Sequence, residues 1–159
     1  MSEVTILVTA IGGSGHGEQI LKAAREIESL RIRIVGTDVR HDAHQFSWVD
    51  VAAKLPPANH SEYTDELVAL CLQHQVAAVF HGSEPEMHRI SNDRERLESA
   101  GVVPIMNSKS VIDLCTDKVK ISAFLEDRGF NPPQFQILNE VASLDEVHLY
   151  PVVIKPYRL

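Results

Sequence analysis

Apolar residues alternate along the chain between two patterns. Continuous runs rich in Val, Ile and Thr occupy residues 4–9, 32–38 and 76–80, as is typical of buried parallel strands. Helical spacing follows the first run, at Ile20, Leu21, Ala24 and Ile27. The alternation of strand and helix up to about Met106 predicts an α/β fold, an open and mostly parallel Rossmann-like sheet with helices on both faces.

The pattern changes near Asn107. The elements predicted beyond residue 100 are a strand at 102–106, helices from about Asn107 and Thr116, a strand at 135–138, a helix from Ser143 and a strand at 151–155. Pro104 marks the first of these as an edge strand or a strand start, and Gly129 suits the end of the second helix. We therefore predict two domains, at 1–106 and 107–159.

A glycine-rich turn joins the first strand to the first helix. It contains Gly12, Gly13, Ser14, Gly15 and Gly17. Glycines let the backbone approach a ligand, and the following helix offers free N–H groups to an anion. Because ligands of such sheets bind at the carboxyl ends of the strands, this turn is a candidate binding element.

A nicotinamide dinucleotide is one candidate ligand. Asp38 ends the second strand 21 residues after Gly17, where a ribose-binding acid would lie. The glycine spacing, however, is neither that of the dinucleotide fingerprint nor that of a P-loop. The other interpretation is a tight turn with a loop aspartate, so NAD binding is kept only as the weaker alternative.

The third strand leads into Gly82-Ser83-Glu84-Pro85-Glu86. Ser83 and Glu86 have capping-box spacing, and Pro85 fits the first turn of a helix. Glu84 has two interpretations. It either complements the helix dipole, or it faces the same crevice as the glycine turn and orients a ligand.

Two lysines stand at predicted element ends. Lys118 follows Asp117 at the start of a helix, and Lys155 ends the last strand before Pro156. Each lysine is a compact charge with three donors, and two held on rigid elements suit a polyphosphate. Taken singly, each is as well explained as a solvated surface charge.

Together these motifs resemble the front end of an ATP-grasp ligase, most closely the carbamoyl-phosphate-synthase-large-subunit-like branch. The residues that carry the resemblance are Gly82-Ser83-Glu84-Pro85-Glu86, Asp117-Lys118, Gly129 to Pro133 and Val153-Ile154-Lys155-Pro156. The resemblance implies that 1–106 is a pre-ATP-grasp domain and 107–159 the start of an ATP-grasp domain. It also implies that Lys118 and Lys155 contact ATP, and that the glycine turn (Gly12, Gly13, Ser14, Gly15) and Glu84 face the substrate.

The implied activity is ligation through an acyl-phosphate, in which ATP activates a small-molecule carboxylate and an amine attacks it. In the family, the Lys-Pro motif is followed by a glycine-rich loop, a lid and acidic magnesium ligands, whereas this chain ends at Leu159. We therefore expect a fragment that is inactive alone, with no catalytic residue or metal ligand of its own. ATP and Mg²⁺ would belong to the complete protein.

The resemblance also implies a partner, namely the remaining ATP-grasp half, in cis or as a separate chain. A homodimer through an exposed strand edge is a further candidate. The alternative function is a non-catalytic nucleotide-binding module or subunit.

Composition excludes other classes. The net charge of −7 without a basic cluster argues against a nucleic-acid binder. No signal peptide or membrane span is evident, so we expect a cytoplasmic protein. Cys71 and Cys115 should be reduced and buried within helices. The eight histidines lack zinc-site spacing, and His81, at a strand end, is the one most expected to matter.

Overall fold

The computed structural model describes residues 3–13, 15–40, 42–138 and 151–156. The chain divides into two compact units, a sheet unit (Met1–Lys109) and a C-terminal unit (Ser110–Leu159). The assignment of domains at 1–106 and 107–159 to a pre-ATP-grasp and an ATP-grasp part stays a prediction.

The sheet unit contains a parallel sheet, to which the described residues contribute five strands. The strands are β1 (Glu3–Val8), β2 (Arg31–Asp38), β3 (Val51–Lys54), β4 (Ala78–Phe80) and β5 (Val103–Pro104). Their order is β3-β2-β1-β4-β5, and all four neighbouring pairs are parallel. The predicted α/β fold with an open parallel sheet is confirmed.

Strand β1 lies at the centre of the sheet. Successive strands are added first on one side of β1 and then on the other. The chain runs from β1 to β2 and β3 on one side, then crosses to β4 and β5 on the other. Ile6 of β1 accordingly pairs with Ile34 of β2 and with Ala78 of β4. The space beyond the ends of β1 and β4 is thus the topological switch point, where ligands bind in such sheets.

Helices cover both faces of the sheet. They are α1 (His16–Arg25), α2 (Tyr63–His74), α3 (Glu84–Asn92) and α4 (Arg94–Ser99), with a 3-10 helix at His44–Trp48. Side chains alternate across β1, so that Leu7 joins one buried cluster with Leu67 and Ile90, whereas Val8 joins the other with Leu21. A central strand buried on both faces explains the unbroken apolar run that begins the sequence.

Two details of the sheet unit differ from the sequence prediction. Residues 51–54, for which no strand is predicted above, form β3, because pairing with β2 compensates for a short and half-exposed strand. The helix predicted to start near Pro85 ends at Asn92, and a second helix starts at Arg94, so that the two helices meet at Asp93. The Asp93 carboxylate accepts hydrogen bonds from Thr64 (2.5 Å) and Arg89 (2.6 Å), which hold it at this junction.

The C-terminal unit contains α6 (Lys118–Glu126), and α5 (Lys109–Cys115) leads into it. Asp117 caps α6, since its carboxylate accepts the N–H groups of residues 119 and 120 at 3.1 and 3.0 Å. Gly129 has φ +78° beyond the end of this helix, a conformation that glycine adopts readily. The sequence signals at both ends of α6 were therefore interpreted correctly.

The prediction of strands at 135–138 and 151–155 is wrong. The described residues 131–138 and 151–156 form neither helix nor strand. A strand is held by hydrogen bonds to a neighbouring strand, and the described residues of this unit contain no strand that could pair with these segments. The helix predicted from Ser143 lies outside the described residues.

The two cysteines differ in environment. Cys71 is buried, as predicted, and burial raises the pKa of its thiol to about 12. Cys115 is exposed rather than buried, because the helical pattern alone does not reveal which face of α5 is covered. No helix in the described ranges is long and apolar enough to cross a membrane.

Candidate functional site

Two turns meet at the carboxyl ends of β1 and β4. The Thr9 N–H donates to the Phe80 carbonyl (3.0 Å), and the Gly82 N–H donates to Thr9 Oγ1 (3.1 Å). A Cβ built on Gly15 would lie 3.6 Å from the Gly82 carbonyl oxygen. The structure thus brings the glycine turn and the turn after β4 together at the switch point.

The backbones approach so closely that two glycines are required. A Cβ on Gly82 would lie 1.9 Å from the Thr9 carbonyl oxygen, and one on Gly17 would lie 2.4 Å from that of Ala10. Ala10 itself has φ +46°, a left-handed conformation that costs a non-glycine residue about 1–2 kcal/mol. Strained backbone of this kind concentrates at functional sites.

Asp38 holds the glycine turn from the side of β2. Its carboxylate accepts the Gly12 N–H at 2.7 Å and the Arg40 N–H at 2.9 Å, and it is 7% exposed. Both carboxylate oxygens therefore accept hydrogen bonds from backbone N–H groups. This geometry supports the loop-aspartate interpretation over a ribose-binding acid, and it weakens the NAD alternative.

Glu86 lies at the centre of a buried polar network behind the two turns. Its Oε2 accepts the hydroxyls of Thr9 (2.8 Å) and Ser83 (2.7 Å), and its Oε1 accepts that of Tyr63 (3.3 Å). Thr9 and Tyr63 are fully buried. One carboxylate thereby ties β1, α2 and α3 together next to the switch point.

The buried environment of this network raises the pKa of two of its members, Glu86 and Tyr63. Burial raises the pKa of Glu86, although the three hydroxyl donors partly offset the effect. Burial, followed by the nearby Glu86 carboxylate, raises the pKa of Tyr63. The tyrosine consequently remains a hydrogen-bond donor over the physiological pH range.

Of the two acids in the first turn of α3, Glu84 is the candidate predicted from the sequence, but Glu86 is the buried one. Glu84 is only partly buried. Ser83 is the N-cap as predicted, accepting the Glu86 N–H at 3.5 Å. The Glu86 side chain instead accepts the hydroxyls described above. Its role was missed because Thr9 lies 77 positions away in sequence, and the capping-box spacing was the only local indication.

A cleft of about 320 Å³ opens beside the same turns. It is lined by His16, Gln19, Ile20, Phe80, His81 and Ile105. Burial, followed by the charge of His16, lowers the pKa of His81. The Nδ1 atom of His81 is buried without a hydrogen-bond partner. His81, singled out by its position at a strand end, therefore lines a cavity.

The remaining predicted site residues are distributed as follows. Gly13 and Gly15 are exposed and Gly12 is half-buried, while Ser14 lies outside the described residues. Lys118 is the first residue of α6, and Lys155 lies in residues 151–156, off any strand. Both lysines are exposed, and their ATP contacts stay a prediction.

The described residues contain no group of three or more His, Cys, Asp or Glu side chains that could hold a metal ion. For ATP, the two exposed lysines have the charge that phosphate binding requires, and their role there stays a prediction. For Mg²⁺, which requires oxygen ligands in octahedral geometry, the described part of the chain provides no comparable set.

Solved structures share this fold. N5-carboxyaminoimidazole synthetase from Staphylococcus aureus, complexed with ADP, matches 90% of this chain and 35% of its own, with 14% identity and a TM-score of 0.61. The biotin carboxylase domain dimer of 2-oxoglutarate carboxylase from Hydrogenobacter thermophilus, in complex with MgADP, ADP and bicarbonate, matches 89% and 31%, with 19% identity and a TM-score of 0.59. The chain thus spans about a third of the length of these proteins.

No curated protein sequence matches the chain. A family model described as "PylC-like, N-terminal domain" matches residues 6–106, which is more than half of the chain. The predicted likeness to the pre-ATP-grasp part of ATP-grasp proteins is confirmed, whereas the carbamoyl-phosphate-synthase-like specificity stays a prediction. The chain belongs to the PylC-like N-terminal domain family.

Proposed function

We propose that the chain is the N-terminal part of an ATP-dependent carboxylate–amine ligase. In this reaction ATP converts a carboxylate to an acyl-phosphate, which an amine then attacks. The observation that carries the proposal is the match of this fold, over about nine-tenths of the chain, to about a third of the length of nucleotide-bound carboxylases and synthetases. The carbamoyl-phosphate-synthase-like branch is the finer proposal, supported by the Gly82 to Glu86 motif.

Lys118 and Lys155 are proposed to bind the phosphates of ATP. Lys118 occupies the first position of α6, directly after its cap Asp117. A cation there is unfavourable beside the positive end of the helix dipole. An anion bound there would interact favourably with both the lysine and the helix. This electrostatic cost supports a ligand role for Lys118.

The glycine turn and Glu84 are proposed to face the carboxylate substrate. Gly12, Gly13 and Gly15 precede α1 at the switch point of the sheet, and parallel sheets of this topology bind ligands there. The Glu86 network supports this arrangement by fixing the positions of both turns. These residues would position a substrate. ATP and Mg²⁺ would supply the phosphoryl-transfer chemistry, and Mg²⁺ ligands are not proposed from this chain.

The partner is proposed to be the remaining ATP-grasp half, in cis or on another chain. Large apolar side chains are exposed in the C-terminal unit: Val111, Phe130, Phe135, Ile137, Val152, Val153 and Ile154. Exposed apolar side chains in this number suggest that this unit binds other protein. A second copy of the chain is the alternative occupant.

Calorimetric titration with MgATP tests the proposal. The chain should bind MgATP weakly, and the double variant Lys118→Ala, Lys155→Ala should lose this binding. A matched variant, Lys54→Ala with Lys120→Ala, removes two other exposed lysines and should bind like the parent. An equal loss of MgATP affinity in both double variants would mean that net charge, rather than these two lysines, determines binding. Tight binding of NAD would instead favour the dinucleotide alternative.

A further inference from the structure

We draw no further inference here: the strongest candidate, the largely apolar cleft that Ile20, Phe80 and Ile105 line beside the end of β4, is an unpartnered face, and nothing in the described residues shows what covers it.

Discussion

In the sheet unit Leu7, Val8 and Val79 are completely buried, whereas in the C-terminal unit Phe130 and Val153 are 62% and 79% exposed. Both clusters of buried apolar residues consist of side chains from the sheet unit. Within the described residues of the C-terminal unit, Ile112 is the one buried apolar side chain. Two stretches of ordinary sequence thus differ sharply in how much apolar surface they bury.

The sheet unit is therefore expected to supply most of the stability of the chain. Burial of apolar surface is the main favourable contribution to folding, and a sheet covered on both faces obtains it within residues 1–109. The described residues of the C-terminal unit leave comparable side chains in water, as a segment does when its packing partner is another piece of protein. This contrast agrees with the proposed role as the beginning of a larger ATP-grasp domain.

Stability should be most sensitive to substitution at the close backbone contact between Gly82 and Thr9. Gly82→Ala places a Cβ 1.9 Å from the Thr9 carbonyl oxygen, and backbone cannot yield as a flexible side chain can. We expect a loss of more than about 4 kcal/mol in the free energy of unfolding, measured by urea unfolding followed through Trp48 fluorescence. Gly13→Ala, whose nearest neighbour is at 3.8 Å, is the control. Comparable stability of the two variants would contradict the observed packing.

The next effect tests the contrast between the units directly. Leu7→Ala opens a cavity in the core and should cost about 3 kcal/mol. Val153→Ala removes a side chain that is 79% exposed and should change stability by less than about 0.5 kcal/mol. The same urea measurement applies. If Val153→Ala proved as costly as Leu7→Ala, the C-terminal unit would have a core of its own.

A smaller effect depends on pH. Glu86 has a raised pKa, so between its ordinary value of 4.5 and the raised value the folded chain keeps a proton that the unfolded chain has released. Raising the pH through this window therefore lowers the stability of the parent chain relative to Glu86→Gln. Stability curves of both proteins from pH 4 upward measure the difference, with Glu84→Gln as the control. A parent that instead gained stability over Glu86→Gln would show that the carboxylate is stabilised in its charged form.

The smallest effect concerns the C-terminal unit. Asp117→Ala removes the cap of α6 and should cost about 1 kcal/mol locally, which corresponds to about fivefold faster amide exchange within the helix. Asp127→Ala, at the other end of α6, should leave exchange unchanged. Slowed exchange in the Asp117 variant would mean that the cap is not what holds the first turn.

Local chemistry was sufficient to predict several elements. The β-branched runs of β1 and β2 indicated buried parallel strands, Ser83 and Pro85 indicated the start of α3, and Gly129 indicated the end of α6. These features depend on contacts within a few residues. The prediction failed where the partner was distant or missing, as for β3 and for residues 151–155.

The candidate site could be predicted only in part. The sequence was sufficient to predict the glycine turn, the strands β1, β2, β4 and β5 in their order along the chain, and the candidate side chains at the ends of β1, β2 and β4. The folded structure was needed to show that Glu86, rather than Glu84, is buried, that the Asp38 carboxylate binds the Gly12 N–H, and that His81 lines a cleft. Burial and hydrogen bonding are set by neighbours in space. Thr9 and Glu86 become neighbours only when β4 is placed beside β1.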